Sequence, residues 1–226
     1  VSSQVGCKMG CTFCATGTMG FSGNLSAGEI LEQVWHVERR APGFGVFWPV
    51  TNVVYMGMGE PLNNYDAVIG SIEGLRSLWG MPPGRITVST VGVVNRLRSL
   101  AADAAGVRLA LSLHAATQET RLRLVPSSRA YTLEKLMCAL DGYCVASGQE
   151  VMVEFIIISG VNATTEEAIA LARLLSGRKV QVNLIPYNTA DARYCTVPSR
   201  RIPSYPVQYS LLPYNTASSR TILSHP

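Results

Sequence analysis

As far as residue 188 the chain repeats one pattern: a short apolar run, then a segment with helical spacing. "MVEFIII" from Met152 to Ile158 is apolar at every position but one. Such a run has no polar side to turn toward water, so it suits a strand covered on both faces, as in a parallel sheet with right-handed helical crossovers. Strands are predicted at Thr51–Met56, Arg85–Thr90, Val107–Leu113, Val151–Ile158 and Val180–Ile185. Helices are predicted at Tyr65–Trp79, Val93–Ala105, Thr132–Ser147 and Thr164–Leu175. An earlier helix starts at Ser26, where Glu29 three residues on completes a reciprocal capping box. With a first strand at Val1–Val5 the chain has six βα-type units, an α/β barrel or part-barrel. Ligands of such sheets bind beyond the carboxyl ends of the strands. The unusual polar residues fall there: Gly59 and Glu60, Ser89, Ser112 with His114, and Asn188.

"GCKMGCTFCATGTMG" at residues 6–20 places Cys7, Cys11 and Cys14 in one glycine-rich loop. A disulfide takes two cysteines and a structural zinc four ligands. Three thiolates spaced C-x3-C-x2-C can hold three irons of a [4Fe-4S] cluster and leave the fourth open to a small molecule. A zinc site would need His36, ten positions into the capped helix, and C-x3-C is poor zinc spacing. Inert buried cysteines are the plainer alternative, although Gly6, Gly10 and Gly17 suit a loop wrapped closely on an object. Each rim residue also has an ordinary use. Glu60 before Pro61 can cap a helix, His114 can be a satisfied buried imidazole, and Asn188 can turn the chain after Pro186. Cys138 and Cys144 lie in an apolar-periodic helix and read as core.

A chain of 226 residues, 47% apolar and 15% charged, can bury a sizeable core. A net charge of +4 permits a polyanionic partner without demanding one. No apolar run approaches the length of a membrane span, and the first residues lack the order of a signal peptide. Cysteines crowded into one loop point to a reducing compartment rather than a disulfide scaffold. The start at Val1 reads as a fragment or a processed product. From 189 to 226 the pattern fails: Pro198, Pro203, Pro206, Pro213 and Pro226 accumulate, and no acidic residue follows Asp191. "VQVNLIPYNTADAR" from Val180 returns imperfectly as "VQYSLLPYNTASSR" from Val207. This stretch is expected to be a divergent, weakly ordered tail.

"CKMGCTFC" resembles the signature of the radical S-adenosylmethionine (radical SAM) superfamily. The longer "SSQVGCKMGCTFCATGTMGFSGNLSAGEI", followed in order by "VVYMGMGEPLNNY", "ITVSTVGVV", "LALSLHA", "RLRLVPSSR" and "VNLIPYN", resembles its RlmN/Cfr-type RNA adenine methyltransferase branch. The resemblance implies a parallel (β/α)6 part-barrel of radical-SAM type over residues 1–188. It implies a [4Fe-4S] cluster on Cys7, Cys11 and Cys14, with S-adenosylmethionine chelated to the open iron. Gly59, Glu60, Ser89, Ser112, Leu113, His114 and Asn188 match the branch's cofactor contacts. It further implies a monomer in the cytoplasm or a reducing organelle, an external electron donor, and adenine-C2 methylation of ribosomal or transfer RNA. The branch's methyl-carrying cysteine lies in an "ACGQL" segment with no counterpart here, and Cys195 in "ARYCTVPS" does not match it. The chain is therefore expected to cleave S-adenosylmethionine without completing methyl transfer. Two alternatives stay open: a radical-SAM enzyme with another substrate, and a non-catalytic iron-sulfur or RNA-binding remnant.

Overall fold

The computed structural model describes residues 1–45 and 49–187. In chain order its elements are β1 (Gln4–Gly6), α1 (Ala15–Thr18), β2 (Phe21–Asn24), α2 (Ala27–Arg40), β3 (Val53–Tyr55), α3 (Tyr65–Leu78), β4 (Ile86–Thr90), α4 (Val94–Asp103), β5 (Arg108–Ser112), α5 (Gln118–Leu124), α6 (Leu133–Ser147), β6 (Val151–Ile157), α7 (Thr165–Leu175) and β7 (Val180–Pro186). Strands β3 to β7 form one parallel sheet in sequence order. That is the α/β part-barrel expected from the alternating pattern, and apart from the first strand each predicted strand and helix lies within two residues of its observed ends.

Side chains alternate across a strand, and here the two sets have different company. Ile86, Val88, Leu109, Leu111, Val153, Phe155 and Val182 enter one buried cluster with Leu75, Leu97, Leu140 and Leu171 of the covering helices. Ser89, Ser112, Glu154 and Asn183 occupy the alternate positions and turn to the opposite face. Helix ends obey local chemistry. Ser26 and Glu29 make the reciprocal box at the start of α2, and Thr117, Thr132 and Thr164 each accept from the amide three residues on at α5, α6 and α7.

The first strand departs from expectation. β1 pairs antiparallel with β2, with Gln4 opposite Asn24, so the parallel sheet has five strands. The cysteine loop returns the chain directly onto β1, and that nearer partner takes its ladder. The N-terminal segment still lies beside β3: the Val1 amine donates to Val54 O at 2.7 Å, and the Ser3 and Gln4 amides to Met58 O at 2.9 and 3.2 Å. Helix α5 had no counterpart among the predicted elements. Cys138 is exposed rather than core, because α6 buries the face carrying Leu136, Met137, Leu140 and Tyr143; Cys144 is half-buried. Asn188, Cys195, the expected boundary at 188 and the tail lie outside the described residues. Among the described residues no helix is long and apolar enough to cross a membrane.

Replacing Ser26 by alanine removes the acceptor of the Glu29 amide at 3.3 Å. Urea denaturation should show a loss of about 1 kcal/mol with an unchanged m-value.

Candidate active site

The cysteine loop closes on itself at its base. Cys7 N donates to Gly20 O at 2.8 Å, and a Cβ added to Gly6 would fall 1.9 Å from that same oxygen. Gly6 has φ 77°, so glycine is required there by both conformation and space. Inside the loop Cys14 N donates to Cys11 O at 3.1 Å and Gly17 N to Cys14 O at 3.0 Å. The loop docks on the barrel through Thr12 N, which donates to Leu124 O at the end of α5 at 3.0 Å. Cys11, 8% exposed, packs among Ala115, Leu124, Val125, Ile156 and Ile158.

All three thiols are free, and Cys7 and Cys14 are half-buried. Burial raises Cys11 to about 12, and the charges of Cys14 and then Cys7 push it the same way. Burial raises Cys7 as well. Cys14 and Cys7 therefore lie close enough to Cys11 for their charges to oppose its ionisation, a conflict that bound iron would remove by holding the thiols as thiolates. Among the described residues no three His, Cys, Asp or Glu side chains close on a single-ion site. A four-iron cluster asks for something different, since its three cysteines reach three separate irons. His36, the fourth ligand of a zinc reading, is exposed on α2 with its ring edge-on to Trp35. The donor set fits the cluster.

Glu60 follows β3 and is 3% exposed. Its Oε1 accepts from Leu62 N at 3.0 Å and its Oε2 from Val91 N at 2.9 Å, while its carbonyl accepts from Asn63 N at 3.0 Å. Burial raises this carboxyl; the Thr90 hydroxyl and the two amides work against that rise. The carboxylate is thus committed to the backbone, and it caps the turn at Pro61–Asn64. Gly59 lies against Gln4, where a Cβ would come within 2.6 Å of the Gln4 Cβ.

On the sheet face turned away from the helices, Ser89 and Ser112 place their hydroxyls 3.4 Å apart across β4 and β5. Leu113 is fully buried, and its amide donates to Glu154 O at 3.0 Å. His114 has φ 61°, unusual for a non-glycine residue. Its Nδ1 accepts from Ile156 N at 3.1 Å, its carbonyl accepts from Asn162 Nδ2 at 2.9 Å, and its ring meets Phe13 edge-on at 4.6 Å. Burial, reinforced by the charge of Arg121, lowers His114 to about 3. It is a neutral imidazole wedged between β6 and the cysteine loop. Of the expected site residues, Asn188 alone lies outside the described residues.

Three further residues belong to this rim. Arg121 of α5 is 2% exposed, and its guanidinium donates to the carbonyls of Ser112, Leu113 and Val91. The peptide groups of Val91 are thereby held on one side by Glu60 and on the other by Arg121. Glu154 and Asn183 continue the polar face, with Asn183 Nδ2 donating to Glu154 Oε2 at 2.8 Å. Arg121 sits in the run "TRLRLVP" and Glu154 in "MVEFIII", each a charge inside an apolar stretch. That was the available signal.

The model of the radical SAM superfamily matches residues 1–175. The chain belongs to the radical SAM superfamily. Its cofactors are those of that family, a [4Fe-4S] cluster and S-adenosylmethionine. It is 45% identical over 190 residues to a probable dual-specificity RNA methyltransferase RlmN of Thermotoga neapolitana, covering 83% of this chain and 54% of that protein. The same identity and coverage hold for the dual-specificity RNA methyltransferase RlmN of Syntrophobacter fumaroxidans. The crystal structure of a radical SAM methyltransferase from Sphaerobacter thermophilus superposes with a TM-score of 0.80 at 45% identity, covering 83% of this chain and 55% of that one. A spore photoproduct lyase with bound S-adenosylmethionine matches at TM-score 0.58 and 16% identity, over 85% of this chain and 58% of that one, a likeness of fold alone. The radical SAM chain described here spans about half the length of the curated relatives it matches.

The folded His114 stays neutral while an unfolded imidazole takes a proton near pH 6.5. Its contribution to stability is therefore full above that pH and is lost as pH falls toward about 3. The stability advantage of the parent over His114→Asn should shrink between pH 7.5 and pH 5, and a constant difference would place the imidazole in water.

Proposed function

We propose that the chain is the radical SAM core of an RNA adenine-C2 methyltransferase acting on ribosomal or transfer RNA. The observation that carries this reading is the joining of a three-cysteine loop to a polar strand rim, in a chain 45% identical to RlmN proteins over 83% of its length. Cys7, Cys11 and Cys14 would hold the cluster. When bound, the reduced cluster and S-adenosylmethionine supply the radical chemistry.

The protein's own residues bind, orient and exclude water. Gly59 lets the turn before Pro61 approach Gln4 of β1 closely, and Glu60 fixes that turn through its bonds to Leu62 and Val91. Ser89, Ser112 and His114, with the backbone of Leu113, would line the cofactor's place at the strand ends; Asn188, outside the described residues, is matched to the same role by the resemblance alone. Each Glu60 carboxylate oxygen accepts one backbone amide and keeps a lone pair for a donor of the cofactor. The core unit would run over residues 1–188, work in the cytoplasm or a reducing organelle, and take electrons from an external donor. An adenine edge must be unstacked before chemistry can reach it, which favours a flexible or single-stranded RNA segment.

A second reading rests on the missing match to the methyl-carrying segment. Covalent catalysis needs its nucleophile within reach. After anaerobic reconstitution with iron, sulfide and reductant, this 226-residue chain should release 5′-deoxyadenosine from S-adenosylmethionine and form no 2-methyladenosine on an RNA hairpin. Cys11→Ala should lose most bound iron and all cleavage. Stoichiometric zinc without acid-labile sulfide would overturn the cluster assignment, and 2-methyladenosine lost on Cys195→Ala would make the tail cysteine the carrier.

A further inference from the structure

Helix α5 carries a positive charge that its structural work does not require. Arg121 is buried, and its guanidinium donates to the carbonyls of Ser112, Leu113 and Val91. A carbonyl asks only for a donor, and a neutral side-chain amide would supply one. A guanidinium costs far more to bury, and the usual remedy is a carboxylate. Arg121 has none. Among the described residues the one ion pair joins Arg178 to Asp141, and the Glu60 carboxylate, on the other side of Val91, is held by amides.

This charge stands beside the cysteine loop. Leu124, one helical turn beyond Arg121, packs with Cys11, and its carbonyl accepts from Thr12 N at 3.0 Å. Arg121 and Met9, which lies between Cys7 and Cys11, line one cavity of about 230 Å³ together with Ser128. His114 follows the Leu113 carbonyl that Arg121 holds, and its ring meets Phe13 of the loop edge-on at 4.6 Å. The electrostatics agree with that placement. Burial lowers Arg121 to about 10, while the charge of Cys11 works against the fall. Burial raises Cys11, and among the weaker influences Arg121 works against the rise. The guanidinium therefore keeps its proton at neutral pH.

A four-iron cluster on three thiolates is negatively charged, and the electron it accepts makes it more so. A fixed positive charge nearby favours the reduced form, and salt screens a buried charge little. We propose that Arg121 raises the reduction potential of the [4Fe-4S] cluster and so eases its reduction by the external donor. One electron passes from donor to cluster in that step, and no bond is made or broken. The proposal rests on the superfamily's cluster and on neither S-adenosylmethionine binding nor the RNA reading, so its test contains neither molecule. Glu60 acts in the opposite sense, and because every variant keeps it, its effect drops out of the comparison.

The reconstituted 226-residue chain is titrated anaerobically with redox mediators at neutral pH, and the reduced cluster is read by electron paramagnetic resonance. Arg121→Gln keeps a donor and removes the charge. It should lower the reduced-to-oxidised ratio at a given potential roughly tenfold, or about 59 mV for one electron. That is the size expected of a unit charge within about two helical turns at an effective dielectric constant near 20. Arg121→Lys should stay close to the parent, and so should Arg123→Gln, whose charge is lost from an exposed position on the same helix. A Lys variant as low as the Gln variant would mean that the hydrogen bonds alone matter, and would overturn the proposal.

Should Arg121→Gln fail to load iron, Ser128→Asp decides. Ser128 is buried, its Oγ has no partner, and it shares the cavity with Arg121. A carboxylate there neutralises the guanidinium without removing it and should lower the potential, whereas Ser128→Asn should not. An unchanged potential in Ser128→Asp would overturn the proposal. A parent without acid-labile sulfide would sink the cluster assignment and this proposal with it; a loaded parent whose charge variants keep its potential sinks this proposal alone.

Discussion

Val91, just past the end of β4, is gripped from two sides by buried charge. Its amide donates to the Glu60 carboxylate, and its carbonyl accepts from the Arg121 guanidinium. Acid and base do not meet; among the described residues Arg121 is bound by carbonyls rather than by a carboxylate. Each charge is costly to bury, and each is made tolerable by polar backbone groups aimed at it. Since Arg121 also holds Ser112 and Leu113, one side chain ties the ends of β4 and β5 together beside Ser89 and Ser112. The rest of the rim takes its positions from this tie.

Most of the scaffold was legible because strand and helix periods follow from burial, and burial from apolar spacing. "MVEFIII" told of a covered strand and the Ser26–Glu29 pair of a helix start, and both hold in three dimensions. Val1–Val5 misled for a physical reason. So short a segment can pair on either edge, and Gly6 at the end of β1 lets Gly20 and Phe21 of the returning chain close onto it. Helix α5 escaped notice because a seven-residue helix carries too few turns for a periodic signal, and its arginine looks like a surface charge until the carbonyls around it are seen.

The site was legible in its parts more than in its roles. The three cysteines and Ser89 with Ser112 do assemble on one side of the fold. Glu60 and His114 are there as well; each Glu60 carboxylate oxygen and the His114 Nδ1 accept a backbone amide, the ordinary uses that sequence left open beside the functional ones. Glu154 and Asn183 could not be linked from sequence. Their partnership depends on the β6–β7 register, which only the folded sheet defines.

The bond from Thr12 to Leu124 makes the cysteine loop and the arginine-bearing helix one mechanical unit. Whatever binds the folded loop and ignores the unfolded one lends α5 the same free energy by mass action, RT ln(1 + [L]/Kd) for a single site. Through Arg121 that gain reaches the ends of β4 and β5. On the proposed cluster assignment, iron supply would set more than whether chemistry can start; it would also set how firmly the rim at the ends of β4 and β5 keeps its shape.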